Sequence, residues 1–281
     1  MRERLPEYLK RPIIDTDKTR TVRKILKVNC LNTVCENARC PNKNECYTKH
    51  TATFLIMGGV CTRNCKYCNI SCQKPEPLDV DEPKHIAKAV KDLGLKYAVI
   101  TSVTRDDLTD GGAEHFAKCI EEIRKISPDT KIEILTPDFK GNIESLNTII
   151  KAHPDVFNHN IEAVRGIFKT VRPQGNYDVS LSVLKYIKEN SDIKTKSGLI
   201  IGLGENFEQI KETFEDLYNV GCDILTVGQY IQPSKEHYPV GKYYKPEEYE
   251  ELKKLATSVG IKHSQIGPLV RSSYNAASLM E

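Results

Sequence analysis

A chain of 281 residues is long enough for one large α/β core with decorated ends, and 41 Lys and Arg against 38 Asp and Glu leave a formal charge of +3. That near balance excludes a protein built mainly to neutralise a nucleic-acid backbone, so no nucleic-acid partner is expected. No run approaches the roughly 20 apolar residues of a membrane span, and the opening MRERLPEYLKRP lacks the apolar stretch of a secretory signal. A cytoplasmic protein with no membrane association is expected.

Residues 1–50 read as an N-terminal extension too short to bury its own core without a metal. They carry CENARCPNKNEC, in which Cys35, Cys40 and Cys46 are separated by four and five residues. Over 51–261, short apolar runs alternate with longer amphipathic ones, the pattern of βα units around a parallel sheet. The predicted strands are TATFLIM, KYAVITSV, KIEILTP, PDVFNHNIE, TKSGLIIGL and DILTVGQYI, rich in β-branched residues, and each precedes a helix. Phe207, Ile210, Phe214 and Leu217 recur at helical spacing and predict a core face, as do Tyr249, Leu252, Leu255 and Val259. Residues 262–281 form a tail containing RSSY.

Six consecutive βα units predict a partial TIM-type (β/α)6 barrel with N-terminal and C-terminal extensions packed onto it; a doubly wound sheet would need the strand order to reverse. In either architecture, functional groups gather in the loops beyond the carboxyl ends of the strands. Those loops are CTRNCKYC, TRDD, PDF, NIE, GLGEN and QPSKEHYPV, all polar. The chemistry is therefore expected on one rim.

Ten cysteines could signal disulfides, but tight clustering in a reducing compartment favours metal ligation. CTRNCKYC holds Cys61, Cys65 and Cys68 with three and two intervening residues. A 4Fe-4S cluster has four irons that each want an outside ligand, and thiolates are the soft donors that suit them. Three cysteines leave one iron open to a small molecule. Structural zinc is the alternative, yet no second Cys-x-x-Cys pair answers Cys65 and Cys68. Cys119, on a predicted helix, and Cys222, before a strand, read as buried structural thiols; Cys30 and Cys72 lie near the triplets with no role assigned.

Cys-x3-Cys-x2-Cys after a first strand, with an aromatic before the last cysteine, resembles the signature of the radical S-adenosylmethionine superfamily. The upstream Cys-x4-Cys-x5-Cys triplet, with TSVTRDDLTDGGA, HNIEAVRGIFKTVRP, SGLIIGLGE, QYIQPSKEHYPV and GPLVRSSYNA, is similar specifically to the lipoyl synthases over most of the chain. Small departures are Tyr67 where members commonly have Phe, Asn206 for Thr, and Asn275 for His.

The resemblance implies two 4Fe-4S clusters and S-adenosylmethionine. Cys61, Cys65 and Cys68 would hold the cluster whose open iron binds S-adenosylmethionine, from which a 5′-deoxyadenosyl radical forms. Cys35, Cys40 and Cys46, with Ser273 favoured over Ser272 as fourth ligand, would hold an auxiliary cluster that gives up its sulfide. The implied reaction is insertion of two sulfur atoms at C6 and C8 of an octanoyl-lysine, with the cysteines and Ser273 as the catalytic set. Tyr67, Gly111, Gly112, Asn160, Glu162 and Gln229 are the expected cofactor contacts, and Arg105 or Arg172 could orient a carboxylate or meet an acidic carrier. Implied partners are an octanoylated lipoyl carrier domain or glycine-cleavage H-type protein, a ferredoxin or flavodoxin donor, and a cluster assembly or carrier protein. A monomer is expected. The rivals are another sulfur-inserting radical enzyme and a metal-stabilised nucleic-acid-binding protein, which would show a concentrated basic face and fully ligated metals.

Overall fold

The structure, a computed structural model, describes residues 5–12 and 16–279. In chain order the strands are β1 (Asn32–Thr33), β2 (Thr53–Ile56), β3 (Val60–Cys61), β4 (Ser71–Cys72), β5 (Tyr97–Ser102), β6 (Lys131–Leu135), β7 (Val156–Asn158), β8 (Lys194–Ile201), β9 (Ile224–Gln229) and β10 (His263–Gly267). The helices are α1 (Asp17–Val28), α2 (Val34–Asn37), α3 (Lys43–Thr48), α4 (Glu82–Asp92), α5 (Ala113–Ile126), α6 (Ile143–Ala152), α7 (Arg165–Val171), α8 (Tyr177–Asn190), α9 (Phe207–Asn219) and α10 (Pro246–Val259).

The six expected strands, β2 and β5 to β9, lie side by side in sequence order and parallel. Because the order never reverses, the sheet is not doubly wound. Two strands unforeseen in the sequence extend it. β1 pairs antiparallel with β2, Asn32 opposite Leu55, and β10 runs parallel to β9, His263 opposite Ile224. The tail thus supplies a seventh parallel strand. Its HSQIG sequence hides this because only Ile266 and Gly267 are buried and the rest lacks apolar alternation. The sheet curls: the 3-10 turn Ala276–Leu279 after β10 touches β5, so the two ends of the sheet approach each other. The result is the partial (β/α) barrel expected.

Alternation places Phe54, Ile56, Ala98, Ile100, Ile132, Ile134 and Phe157 under the helices, all buried. The residues between them face the interior, which carries charge. Lys196 on β8 places Nζ 2.9 and 3.0 Å from the Glu133 carboxylate of β6, which also accepts from Tyr97 Oη at 2.6 Å and Asn158 Nδ2 at 2.9 Å. Four neighbouring strands are tied by one buried network in which the Lys196 and Glu133 charges are paired and hydrogen-bonded, the condition under which buried charge is tolerated, while Asn158 Oδ1 alone is left without a partner.

On α9, Ile210, Phe214 and Leu217 are buried, each worth about 1.5–3 kcal/mol. Phe207, at the first turn beside the Asn206 and Gln209 capping box, instead turns outward and is exposed. On α10, Tyr249 and Leu252 are buried as expected, while Ala256 completes the face and Leu255 and Val259 are only half-buried. The extensions pack on the barrel: Tyr8 Oη donates to Tyr244 O at 2.8 Å, and Tyr274 Oη to Glu45 Oε1 at 2.8 Å.

Candidate functional site

The CTRNCKYC loop is closed at its base by β3 and β4, with Cys61 opposite Cys72 and Gln73 N donating to Cys61 O at 3.2 Å. Along its length it is sewn to the rim. Lys66 N donates to Val171 O at 2.8 Å, Tyr238 N donates to Lys66 O at 2.9 Å, and His237 Nε2 donates to Cys68 O at 3.0 Å. Because the Cys68 carbonyl can only accept, Nε2 carries the ring proton, and Nδ1 accepts from Ser234 Oγ at 2.8 Å. Arg63 anchors the loop from within: Nε and Nη2 meet Asp106 at 2.7 and 2.9 Å, while Nη1 and Nη2 meet Asp138 at 2.7 Å each. This guanidinium pins the loops after β5 and β6 to the cysteine loop and holds the Asp138 carboxyl below the usual carboxylate range against the opposing effect of burial. The sulfurs are aimed by backbone donors. Arg63 N and Thr104 N lie 3.4 and 3.3 Å from Cys61 Sγ, and Ile70 N lies 3.5 Å from Cys68 Sγ.

Cys61, Cys65 and Cys68 line one cavity of about 200 Å³, with Tyr67, Asn160, Glu162 and Arg172 also in its wall. The expected fourth strand ends early, at Asn158, and this break furnishes three of the cavity's groups. Ile161 N turns to Ser197 Oγ at 3.0 Å, and Glu162 takes a left-handed backbone with φ of 68°. Asn160 Nδ2 donates to Glu162 Oε1 at 3.1 Å, and Arg172 Nη1 to Asn160 O at 3.1 Å. Four buried polar atoms of the same wall have no protein partner: Ser102 Oγ, Thr136 Oγ1, His159 Nε2 and Arg172 Nε. His159 Nδ1 donates to Thr136 O at 2.9 Å, and burial lowers its pKa to about 4, so Nε2 is an acceptor facing the cavity. Such orphaned groups demand a polar ligand. Val34, Leu55, Val103 and Leu135 add apolar side chains to the same lining.

A second cavity, of about 320 Å³, is lined by Cys35, Cys40, Cys46, Arg271 and Ser273. Val34, one residue before Cys35, lies in the walls of both. The tail reaches this cavity because Asn42 Nδ2 donates to Leu269 O at 2.6 Å and because two strand residues lack side chains. A Cβ on Gly228 would stand 2.0 Å from Val270 O, and one on Gly198 would stand 2.6 Å from Ser272 Oγ. Ser273 is turned to the second cavity, whereas Ser272 lines a small space of about 70 Å³ between the two, with Asn160, Glu162 and Arg271.

Burial pushes Cys68 and Cys35 up to about 12, Cys46 up to about 11, and Cys65 upward. As free thiols these would stay protonated, and only strong Lewis acids would hold them as thiolates. All ten cysteines are free. Among the described residues no three His, Cys, Asp or Glu side chains converge on a point that could hold a single metal ion, as a zinc site with sulfurs about 2.3 Å from one centre requires. Each triplet instead borders a volume, the arrangement that suits a polynuclear cluster with one iron per thiolate.

Not every expected contact is brought there. Gly111 and Gly112 stand at the start of α5 with φ of 62° and 91°, and a Cβ on Gly112 would meet Met57 Sδ at 2.3 Å; their place is a tight turn outside the cavity walls. Gln229 is spent on structure: Nε2 donates to Ile201 O, Tyr230 O and Lys242 O, while Oε1 accepts from Tyr244 N and Tyr249 Oη. Arg105 is buried against Asp107 at 2.8 Å, away from both cavities, and Arg172 alone of the two arginines faces one. Cys119 and Cys222 are buried, Cys30 and Cys72 exposed. Sequence reasoning missed Arg63 and His159. Both sat in quoted motifs, CTRNC and HNIE, where an arginine between metal-binding cysteines and a histidine at a strand end were available signals.

The family model for the radical SAM superfamily matches residues 55–217. A lipoyl synthase of Caldicellulosiruptor saccharolyticus is 51% identical over 98% of this chain and 97% of its own length. One from Caldicellulosiruptor bescii is 53% identical over 96% and 94%, and lipoyl synthase 2 of a Nostoc species is 49% identical over 97% and 94%. The fold is similar to that of methylornithine synthase (PylB), with a TM-score of 0.58, 13% identity and coverage of 87% of this chain and 70% of that one.

Proposed function

The chain belongs to the radical S-adenosylmethionine superfamily and, within it, to the lipoyl synthase family, and from that premise we propose how its residues divide the insertion of two sulfur atoms at C6 and C8 of a protein-bound octanoyl-lysine. Cys61, Cys65 and Cys68 hold the cluster that meets S-adenosylmethionine. Cys35, Cys40, Cys46 and Ser273 hold the sacrificial auxiliary cluster. When bound, these groups supply a carbon radical able to take hydrogen from an unactivated chain, and the sulfur that replaces it.

The protein's own work is placement. Ser102, Thr136, His159 and Arg172 offer their unpartnered atoms to the cofactor's polar groups, with Arg172 Nε suited to a carboxylate. Asn160 and Glu162 stand at the same wall. Val34, Leu55, Val103 and Leu135 give an alkyl chain an apolar face and keep water from the reacting carbons. The observation that carries the reading is the pair of cavities, each bordered by one cysteine triplet and adjoining at Val34. A hydroxyl is a harder donor than a thiolate, so an iron held by Ser273 would be the labile corner of the cluster.

The division of the chain follows: 1–50 carries auxiliary ligands, 51–261 the radical barrel, and 262–281 the RSSY ligand. The carrier is an octanoylated lipoyl domain or an H-type protein of glycine cleavage, electrons come from a ferredoxin or flavodoxin, and a cluster assembly or carrier protein restores the consumed cluster. No helix among the described residues is long and apolar enough to cross a membrane. A cytoplasmic monomer accords with these partners. The test is mass spectrometry of an octanoyl-lysine peptide incubated anaerobically with reconstituted protein, reductant and S-adenosylmethionine. Singly and then doubly sulfurated peptide with 5′-deoxyadenosine is the expected result. 5′-Deoxyadenosine without sulfur in the peptide would overturn the substrate assignment.

A further inference from the structure

Two adjacent serines of the tail face different cavities, and the one not assigned to iron has a partner of its own. Ser272 Oγ donates to Asn160 Oδ1 at 2.8 Å. Asn160 in turn passes Nδ2 to Glu162 Oε1 at 3.1 Å. The Glu162 contact fixes which way the amide points, since reversing it would set Oδ1 against a carboxylate, and the Ser272 hydroxyl then donates to the oxygen so placed. Loss of the Ser272 hydroxyl leaves Glu162 alone to orient the amide.

The contact is built into the barrel. A Cβ on Gly198 would lie 2.6 Å from both Asn160 Oδ1 and Ser272 Oγ, so the strand is bare where the tail must approach. Asn160 and Glu162 belong to the wall shared with the first cysteine triplet, while Ser273, the next residue of the tail, belongs to the wall of the second. One backbone step therefore separates a group on the auxiliary site from a group that orients the cofactor site. Arg271, on the other side of Ser272, lines both the second cavity, with Cys40, and the small space bordered by Asn160 and Glu162.

We propose that Ser272 is a positioning residue that orients Asn160 toward bound S-adenosylmethionine and, through Ser273, links affinity for that molecule to the state of the auxiliary site. The inference rests on the assignment of the first cavity to S-adenosylmethionine and of Ser273 to iron. While Ser273 is held by iron, the tail is fixed and Ser272 reaches Asn160; once Ser273 is released, the tail is free to withdraw and binding weakens. By reciprocity, bound S-adenosylmethionine favours the held tail.

The experiment is anaerobic equilibrium binding of S-adenosylmethionine without reductant, together with iron and sulfide analysis, on the reconstituted full chain. Ser272→Ala is expected to bind about tenfold more weakly, the effect of losing one well-placed hydrogen bond, while keeping iron and sulfide for two clusters. Ser272→Thr, which keeps the hydroxyl, is expected to recover most of the affinity. Cys40→Ala, which removes an auxiliary ligand, is expected to weaken binding in the parent chain but to add nothing in the Ser272→Ala background. Unchanged affinity in Ser272→Ala overturns the positioning role, and additive losses overturn the link. Loss of the auxiliary cluster in Ser272→Ala with its retention in Ser273→Ala would exchange the two serines' roles. No binding by the parent chain would instead defeat the assignment of the cavity itself. Should Ser272→Ala not load, Gly198→Ala breaks the same contact from the strand and carries the same expectation.

Discussion

Replacing Arg63 by Met should unfasten the cysteine loop, and the structure sets the scale of the loss. The guanidinium makes four short charge-assisted bonds, two to Asp138 and two to Asp106. Asp138 has only 3% of its side chain exposed, so without Arg63 it becomes a buried carboxylate with no cation, a defect worth about 3–5 kcal/mol. Asp106, at 23% exposure, is partly screened and adds about 1 kcal/mol or less. A total near 4 kcal/mol corresponds to a fall in Tm of roughly 8 °C for a chain of this length. Thermal unfolding of the reconstituted protein by circular dichroism reads this directly. Arg63→Met combined with Asp138→Asn should recover more than half of the loss, because the stranded charge is gone. A Tm shift below about 2 °C for Arg63→Met, or costs that simply add in the double variant, would refute the reasoning.

Cys61→Ala should abolish reductive cleavage of S-adenosylmethionine, whereas Cys40→Ala should retain cleavage at saturating cofactor and stop sulfur insertion; loss of cleavage in folded Cys40→Ala, seen by chromatography of 5′-deoxyadenosine, would count against the division of labour. Gly228→Ala should displace Val270, whose carbonyl would lie 2.0 Å from the new Cβ, and iron analysis should find the auxiliary cluster depleted while the other is kept. His159 has a folded pKa of about 4 against 6.5 for the free side chain, chiefly because burial disfavours its charged form. The unfolded chain therefore binds more protons between those values, and stability is full above pH 6.5 and falls by roughly 3 kcal/mol as pH drops through 4. Denaturant titrations across this window should show a shallower fall in His159→Gln, and equal slopes would show that the histidine is not held neutral.

Six strands and both cysteine triplets were legible because periodicity and ligand spacing are properties of short windows. β10 was not, since an edge strand buried at only two positions has little apolar alternation to display. The bracing contacts of Gln229 were hidden for a related reason: a polar residue at a strand's carboxyl end is as readily a brace as a ligand, and its bonds to Lys242 and Tyr249 come from segments distant in sequence. Arg63 shows the converse. Its partners lie 43 and 75 residues away, so nothing local announces a charge network, although TRDD and PDF had already placed both carboxylates on the rim. Ser272 and Ser273 are neighbours of one residue type, and what separates them is the wall each faces.

The use of both chain ends at one site follows from the incomplete barrel. A curled sheet that does not close leaves two edges with unpaired backbone groups, a liability unless they are covered. Here β1 pairs along β2 at one edge and leads within two residues to Cys35, while β10 forms the other edge and leads within six to Ser273. The segments that finish the sheet are therefore the segments that carry the proposed auxiliary ligands. Metal binding by those ligands would join elements far apart in sequence, so part of its binding free energy would be folding free energy for the two ends. On the assignment proposed above, a cluster consumed during turnover would alter the anchoring of the tail as well as the supply of sulfur, and the Ser272 contact to Asn160 is where that change would reach the cofactor site.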